Sequence, residues 1–229
     1  MFGKSSFFTV SCTIHFVSTE WRLSMSNINL DQIDNMQFDV LKEIGNIGAG
    51  NATTALSKMI NGKVDMSVPE VALLEFKELP DMVGGAENIV VGILIQLEGE
   101  VNGMMMFIME TESAYHLVNI LMGSSINQFE DFTELELSAL QEIGNIISGA
   151  YLSSLSTLIN IRIDASIPYM SIDMAGAILS VPAIEFGKVG DKALMIETKF
   201  SKDESDVKGY FILIPTLESY NVILKSLGL

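Results

Sequence analysis

The feature that most constrains this chain is an internal duplication. The segment opening at Asp39, DVLKEIGNIGAGNATTALSKMINGKVDMSVP, aligns without gaps on the one opening at Ser138, SALQEIGNIISGAYLSSLSTLINIRIDASIP, at a constant offset of 99 residues (145 less 46). Both copies carry the EIGNI core, a glycine at 50 and 149, Ile-Asn at 60–61 and 159–160, and a proline at 69 and 168. A weaker echo relates GMMMFIMETES from Gly103 to GYFILIPTLES from Gly209 at an offset of 106. The second copy therefore holds about seven further residues, expected in the charged loop 201–208, SKDESDVK. A repeat of this kind is one supersecondary unit present twice.

Each unit reads the same way. Apolar residues at helical spacing (Leu41, Ile44, Ile47; Leu140, Ile143, Ile147) predict long helices over 39–60 and 133–159. β-rich runs follow at 64–76, 89–97 and 101–109 in one unit and at 161–174, 193–200 and 210–214 in the other. A short helix closes each, over 112–121 and 217–227, and Glu98-Gly99-Glu100 reads as a hairpin turn between antiparallel neighbours. One such unit leaves a sheet face and a helix stripe without cover. The expected fold is thus α+β: a duplicated, pseudo-two-fold domain with long helices packed on a largely antiparallel sheet. Repeats over about 36–123 and 133–229 would form one domain across 25–229, and residues 1–24 are expected to be an appendage outside it, with Met25 as the natural start.

Composition narrows the function. At 48% apolar residues the chain can bury a sizeable core, and a net charge of −16 argues against nucleic acid, whose binding draws on clustered Lys and Arg. A protein partner is expected instead, although surplus surface carboxylates also serve plain solubility. One cysteine, Cys12, forms no internal disulfide, and with only His15 and His116 beside it no zinc spacing exists, so no metal site is expected and a cytoplasmic setting fits. No run has the length and apolarity of a bilayer span, so no membrane is expected.

The polar residues of the repeated helix carry the chemistry. Glu43 and Asn46, and again Glu142 and Asn145, are three residues apart, hence on one helix surface about 5–6 Å apart at Cβ. One turn earlier lies Asp39 in one copy and Ser138 in the other. An amide is no useful acid or base, but it donates and accepts hydrogen bonds at once and can hold a water in one orientation. That suits phosphoryl transfer, where positioning and charge stabilisation do most of the work. The Glu could accept a proton or pair with a cation. No cationic group repeats beside the pair, so half of such a site would have to come from the substrate.

A single Glu-x-x-Asn is most often a solvated helix face, and duplication also preserves residues that merely fold well. The Gly45–Gly50 and Gly144–Gly149 spacings resemble a phosphate loop, but Asn51-Ala52 and Ala150-Tyr151 stand where Lys-Ser/Thr would be, and no strand precedes either. Met104–Met106 reads as sheet packing, and Pro69 and Pro168 as strand breakers above the helix. Gly45, Gly48 and Gly50, with Gly144, Ser148 and Gly149 in the second copy, cost helix stability. Close approach of another backbone is the expected compensation.

At these residues the chain resembles the CheC family of chemotaxis phosphatases, related to CheX and to the phosphatase part of FliY, from about residue 30 onward. The family signature is Asp or Ser, three residues, Glu, two residues, Asn, twenty-two residues and Pro. It occurs twice: Asp39, Glu43, Asn46, Pro69, and Ser138, Glu142, Asn145, Pro168. The resemblance implies that each Asn orients a water toward the aspartyl phosphate of the response regulator CheY and that each Glu pairs with the regulator's invariant lysine. It implies Mg²⁺ on the regulator and no cofactor on this chain. It further implies binding of CheD, the receptor deamidase, through a surface away from the stripe. Two motifs per chain favour CheC and a monomer over the single-motif, dimeric CheX. The alternative is a CheD-binding adaptor with little phosphatase activity. A flagellar-switch component is a third reading, disfavoured because no switch domain follows before Leu229.

Overall fold

The structure, a computed structural model, describes residues 35–59, 61–68, 70–123, 131–186, 192–202 and 205–228. In the first repeat helix α1 (Asn35–Met59) leads to strands β1 (Asp65–Ser67) and β2 (Val71–Glu75), and a 3₁₀ turn (Leu79–Val83) follows. The hairpin β3 (Ile89–Gly99) and β4 (Gly103–Glu110) and helix α2 (Thr111–Met122) complete it. The second repeat runs α3 (Glu134–Ile159), β5 (Ile163–Ala165), β6 (Tyr169–Met174), α4 (Ala175–Phe186), β7 (Lys192–Lys202), β8 (Ser205–Pro215) and α5 (Leu217–Ser226). Just past both long helices the shared Asn stands at positive φ, Asn61 at 48° and Asn160 at 53°, the left-handed stop that Asn tolerates better than most side chains.

All eight strands form one antiparallel sheet in the order β1-β7-β8-β4-β3-β5, with β2 also on β7 and β6 also on β3. The repeats are therefore interlocked. The first repeat's β1 and β2 extend the second repeat's hairpin, and β5 and β6 extend the first repeat's. At the centre β4 pairs with β8, and Met106 faces Ile212, its own counterpart at the offset of 106. The pseudo-two-fold axis passes between those two residues.

One face of the sheet carries α1, α3, α2 and α5 over the larger core, to which β4 contributes Met105, Phe107 and Met109. The other face, with Met104, Met106 and Ile108, lies under α4 and the 3₁₀ turn. Period-two alternation thus puts the methionine run into both cores. In the larger core the Tyr151 ring stacks on Phe211 at 4.5 Å and Phe211 on Phe107 at 5.0 Å.

Three expectations need correction. Ile47 is 37% exposed, because Gly48, one residue on, takes the inward position under the Tyr151 ring. Residues 201–202 and 205–208 are hairpin arms, not loop: Ser201 pairs with Asp206 and Lys202 with Ser205. Met106 pairs with Leu94 and Ile212 with Met195, so β3 and β7 are related by 101 residues, and about five of the seven additional residues lengthen that hairpin. Helix α4, against only a 3₁₀ turn in the first repeat, was not expected. Gly176 and an internal Pro182 hide it from propensity.

Tyr151 is 2% exposed, and burial pushes its hydroxyl up to about 12 despite a contact with Thr198 Oγ1 at 3.4 Å. Unfolded, it would ionise near 10.0. The stability supplied by neutral Tyr151 is complete below that pH and is lost as pH rises toward about 12. The melting temperature should fall over that interval, and fall less steeply in Tyr151→Phe, which carries no ionisable hydroxyl.

Candidate functional site

Helix α3 starts with a capping box. Glu136 N donates to Thr133 Oγ1 at 3.4 Å and Thr133 N donates to Glu136 Oε2 at 2.7 Å. The cap sets the helix phase, and the core sets which side faces inward. Leu140, Ile143 and Ile147 are fully buried on α3, as are Leu41 and Ile44 on α1 (4% and 5% exposed). The opposite side is the predicted stripe: Asp39, Glu43 and Asn46 on α1, and Ser138, Glu142 and Asn145 on α3, are all exposed.

No hydrogen bond or ion pair holds either Glu or either Asn among the described residues, so these carboxylates and amides face solvent with full bonding capacity. Ser138 differs, since its hydroxyl donates to the Glu134 carbonyl at 2.8 Å along its own helix. Asp39 has no equivalent tie among the described residues.

Gly48 lets α1 close on α3, and Gly144 lets α3 close on β3. A Cβ at Gly48 would come within 2.5 Å of the Tyr151 ring, and one at Gly144 within 2.5 Å of Ile93 Cδ1. These glycines make room for side chains, not for the expected second backbone. Gly45 has ordinary room, and at Gly50 and Gly149 nothing lies within 4 Å. Across the helix pair Asn51 Nδ2 donates to Ser154 Oγ at 2.9 Å.

Pro168 is half-buried between β5 and β6, where it interrupts the strand as predicted; Pro69 lies outside the described residues. Sequence reasoning missed Gln141. Its Nε2 donates to the Pro168 carbonyl at 2.7 Å, fastening the β5–β6 connection to α3. Gln141 sits four residues before Asn145 and three after Ser138, so it borders the stripe. The first copy has Lys42 there, which is exposed, and no local signal marks a bond across 27 residues.

A sequence profile of the CheC-like family matches residues 36–73 and 135–171, one helix with its following strands in each repeat. Over 196 residues the chain is 36% identical to the CheY-P phosphatase CheC of Bacillus subtilis, covering 84% of this chain and 94% of that protein. The chain belongs to the CheC-like family. This CheC-like chain is also 29% identical over 140 residues to the flagellar motor switch phosphatase FliY of Bacillus subtilis, 61% of this chain and 36% of that one. Thermotoga maritima FliY shares its fold, with a TM-score of 0.69 at 21% identity, covering 86% of this chain and 98% of that structure. Among the described residues no helix is long and apolar enough to cross a membrane.

Proposed function

We propose that this chain is a chemotaxis phosphatase that removes the phosphoryl group from the aspartyl phosphate of CheY in the cytoplasm. Its relative at 36% identity carries that activity in its name. The observation that supports the reading most strongly is the outward-facing Glu/Asn pair, present on both long helices while the residues of the opposite helix face are buried.

Asn46 or Asn145 holds a water with its amide, in line with the phosphorus of the docked regulator. The water oxygen bonds to phosphorus as the bond from phosphorus to the aspartyl oxygen breaks. Inorganic phosphate leaves, the regulator carboxylate is restored, and the water's proton passes to the phosphate or to solvent. Glu43 or Glu142 pairs with the regulator's lysine and keeps the two proteins in register. Mg²⁺ would be held by the regulator, where it would supply charge stabilisation for the phosphoryl group. Because one chain carries both sites, a monomer suffices. Asp39 and Ser138 border the docking surface, and Pro168 shapes the connection beside it.

The test is the decay of phosphorylated CheY with and without this protein. A clear shortening of phosphate lifetime is expected at sub-stoichiometric amounts of the chain, since a catalyst turns over. An unchanged lifetime, together with tight binding of CheD, would instead favour the adaptor reading. Repeating the decay with CheD present measures how far that partner adjusts the rate.

A further inference from the structure

Two side chains are too small an interface. Even a standard protein contact covers about 800 Å² on each partner, and one carboxylate with one amide supplies a small fraction of that. The remaining contact must come from surface next to the pair.

Following the stripe along each helix shows what that surface is. At 3.6 residues per turn, positions 36, 39, 43, 46 and 50 fall within about 80° of circumference and span about 21 Å, as do 135, 138, 142, 145 and 149. All ten residues are exposed. The stripe opens with a large apolar residue, Met36 or Leu135, each 66% exposed. It ends with Gly50 or Gly149, around which a Cβ would meet nothing within 4 Å.

Isolated apolar residues on a surface are ordinary. Here the position, the exposure and the relation to the Glu/Asn pair recur 99 residues apart, although the residues themselves differ. Among the described residues one other pair of exposed large apolar side chains shares that offset, Met59 and Leu158, and it lies off the stripe. The glycines likewise sit in mid-helix without positive φ and without a packing neighbour, so neither turn geometry nor core crowding accounts for them.

We infer that Met36 and Leu135 are docking contacts for the phosphorylated regulator, one at each site, and that Gly50 and Gly149 keep the far end of each stripe low enough for its backbone to approach. The inference rests on the proposed function for the identity of the partner. It requires that regulator to present an apolar patch about 15 Å from its phosphorylated aspartate and about four helical turns from where the glycine end is approached.

The test uses the full chain and CheY loaded with fluoroberyllate, a stable stand-in for the phosphoryl group. Met36→Asp with Leu135→Asp should weaken binding at least about tenfold, as expected when one such side chain no longer becomes buried. Gly50→Gln with Gly149→Gln should weaken it comparably while the melting temperature stays level or rises, because Gln suits a helix better than Gly. Should the Asp pair lower the melting temperature, Met36→Ser with Leu135→Ser is read instead. Affinities within twofold of the unaltered chain for the first pair overturn the anchor, and for the second pair overturn the clearance. If the unaltered chain binds loaded CheY without shortening phosphate lifetime, the phosphatase reading fails while the docking stripe is still measured. If it does not bind at all, both fail.

Discussion

Asn46→Ala combined with Asn145→Ala should return the decay of phosphorylated CheY to the rate of the regulator alone. In the proposed reaction the amide has one task, to place a water, and misplacing a reacting group by about 1 Å can cost about 100-fold. Alanine supplies neither donor nor acceptor, so at least that loss is expected from the double variant. Each single variant should retain the share carried by the other helix, and the two residual rates apportion the work between sites. Both Asn side chains are exposed and unbonded to any described residue, so the melting temperature should hold. A double variant with full activity and an intact fold would remove Asn from the mechanism. Glu43→Gln with Glu142→Gln should act differently, weakening association with the regulator by removing the charge offered to its lysine.

The largest effect on stability is expected at Gly103. This residue opens β4 beside the pseudo-two-fold axis with φ near 154°, and a Cβ there would press on the Ile214 carbonyl oxygen and lie 2.6 Å from Pro215 Cα. The obstacle is backbone of β8, the strand that joins the repeats, so it cannot rotate aside as a side chain would. Unfavourable backbone geometry and overpacking each cost about 1–3 kcal/mol, so Gly103→Ala should destabilise by about 3 kcal/mol. That is a large part of the roughly 5–15 kcal/mol that holds a typical domain together. The urea midpoint should fall accordingly. Gly149→Ala is the contrasting control: with open space around it, about 0.5–1 kcal/mol should be gained. Equal effects at both positions would contradict this account of β4 and β8.

Much of this architecture was legible because the chain states it twice. The helices, the hairpins and the outward Glu/Asn pair follow from periodicity, and periodicity is a local property. Agreement between two copies separates pattern from accident. Helix α4 escaped because its apolar residues show no single face and Pro182 argues against a helix; burial of Ala175, Ile178 and Leu179 in the smaller core, and hydrogen bonds from Ala175 N and Gly176 N to the Asn88 and Ala86 carbonyls, hold it there. Ile47 escaped for a related reason. Spacing placed Ile47 on the inward face, and the Tyr151 ring, supplied from 103 residues away, packs on Gly48 there instead.

By itself, then, the sequence determined the duplication, which is a likeness between two stretches of chain, and the position of each helix and the chemistry displayed on each stripe, which arise from neighbours within a few turns. Tertiary structure alone decided that the strand pairs exchange between repeats, that Met106 meets Ile212 at the axis, and that Gln141 holds Pro168. Those choices depend on which uncovered sheet edge and which unbonded carbonyl lie nearest once the helices have packed. That geometry exists only after residues far apart in the chain have come together.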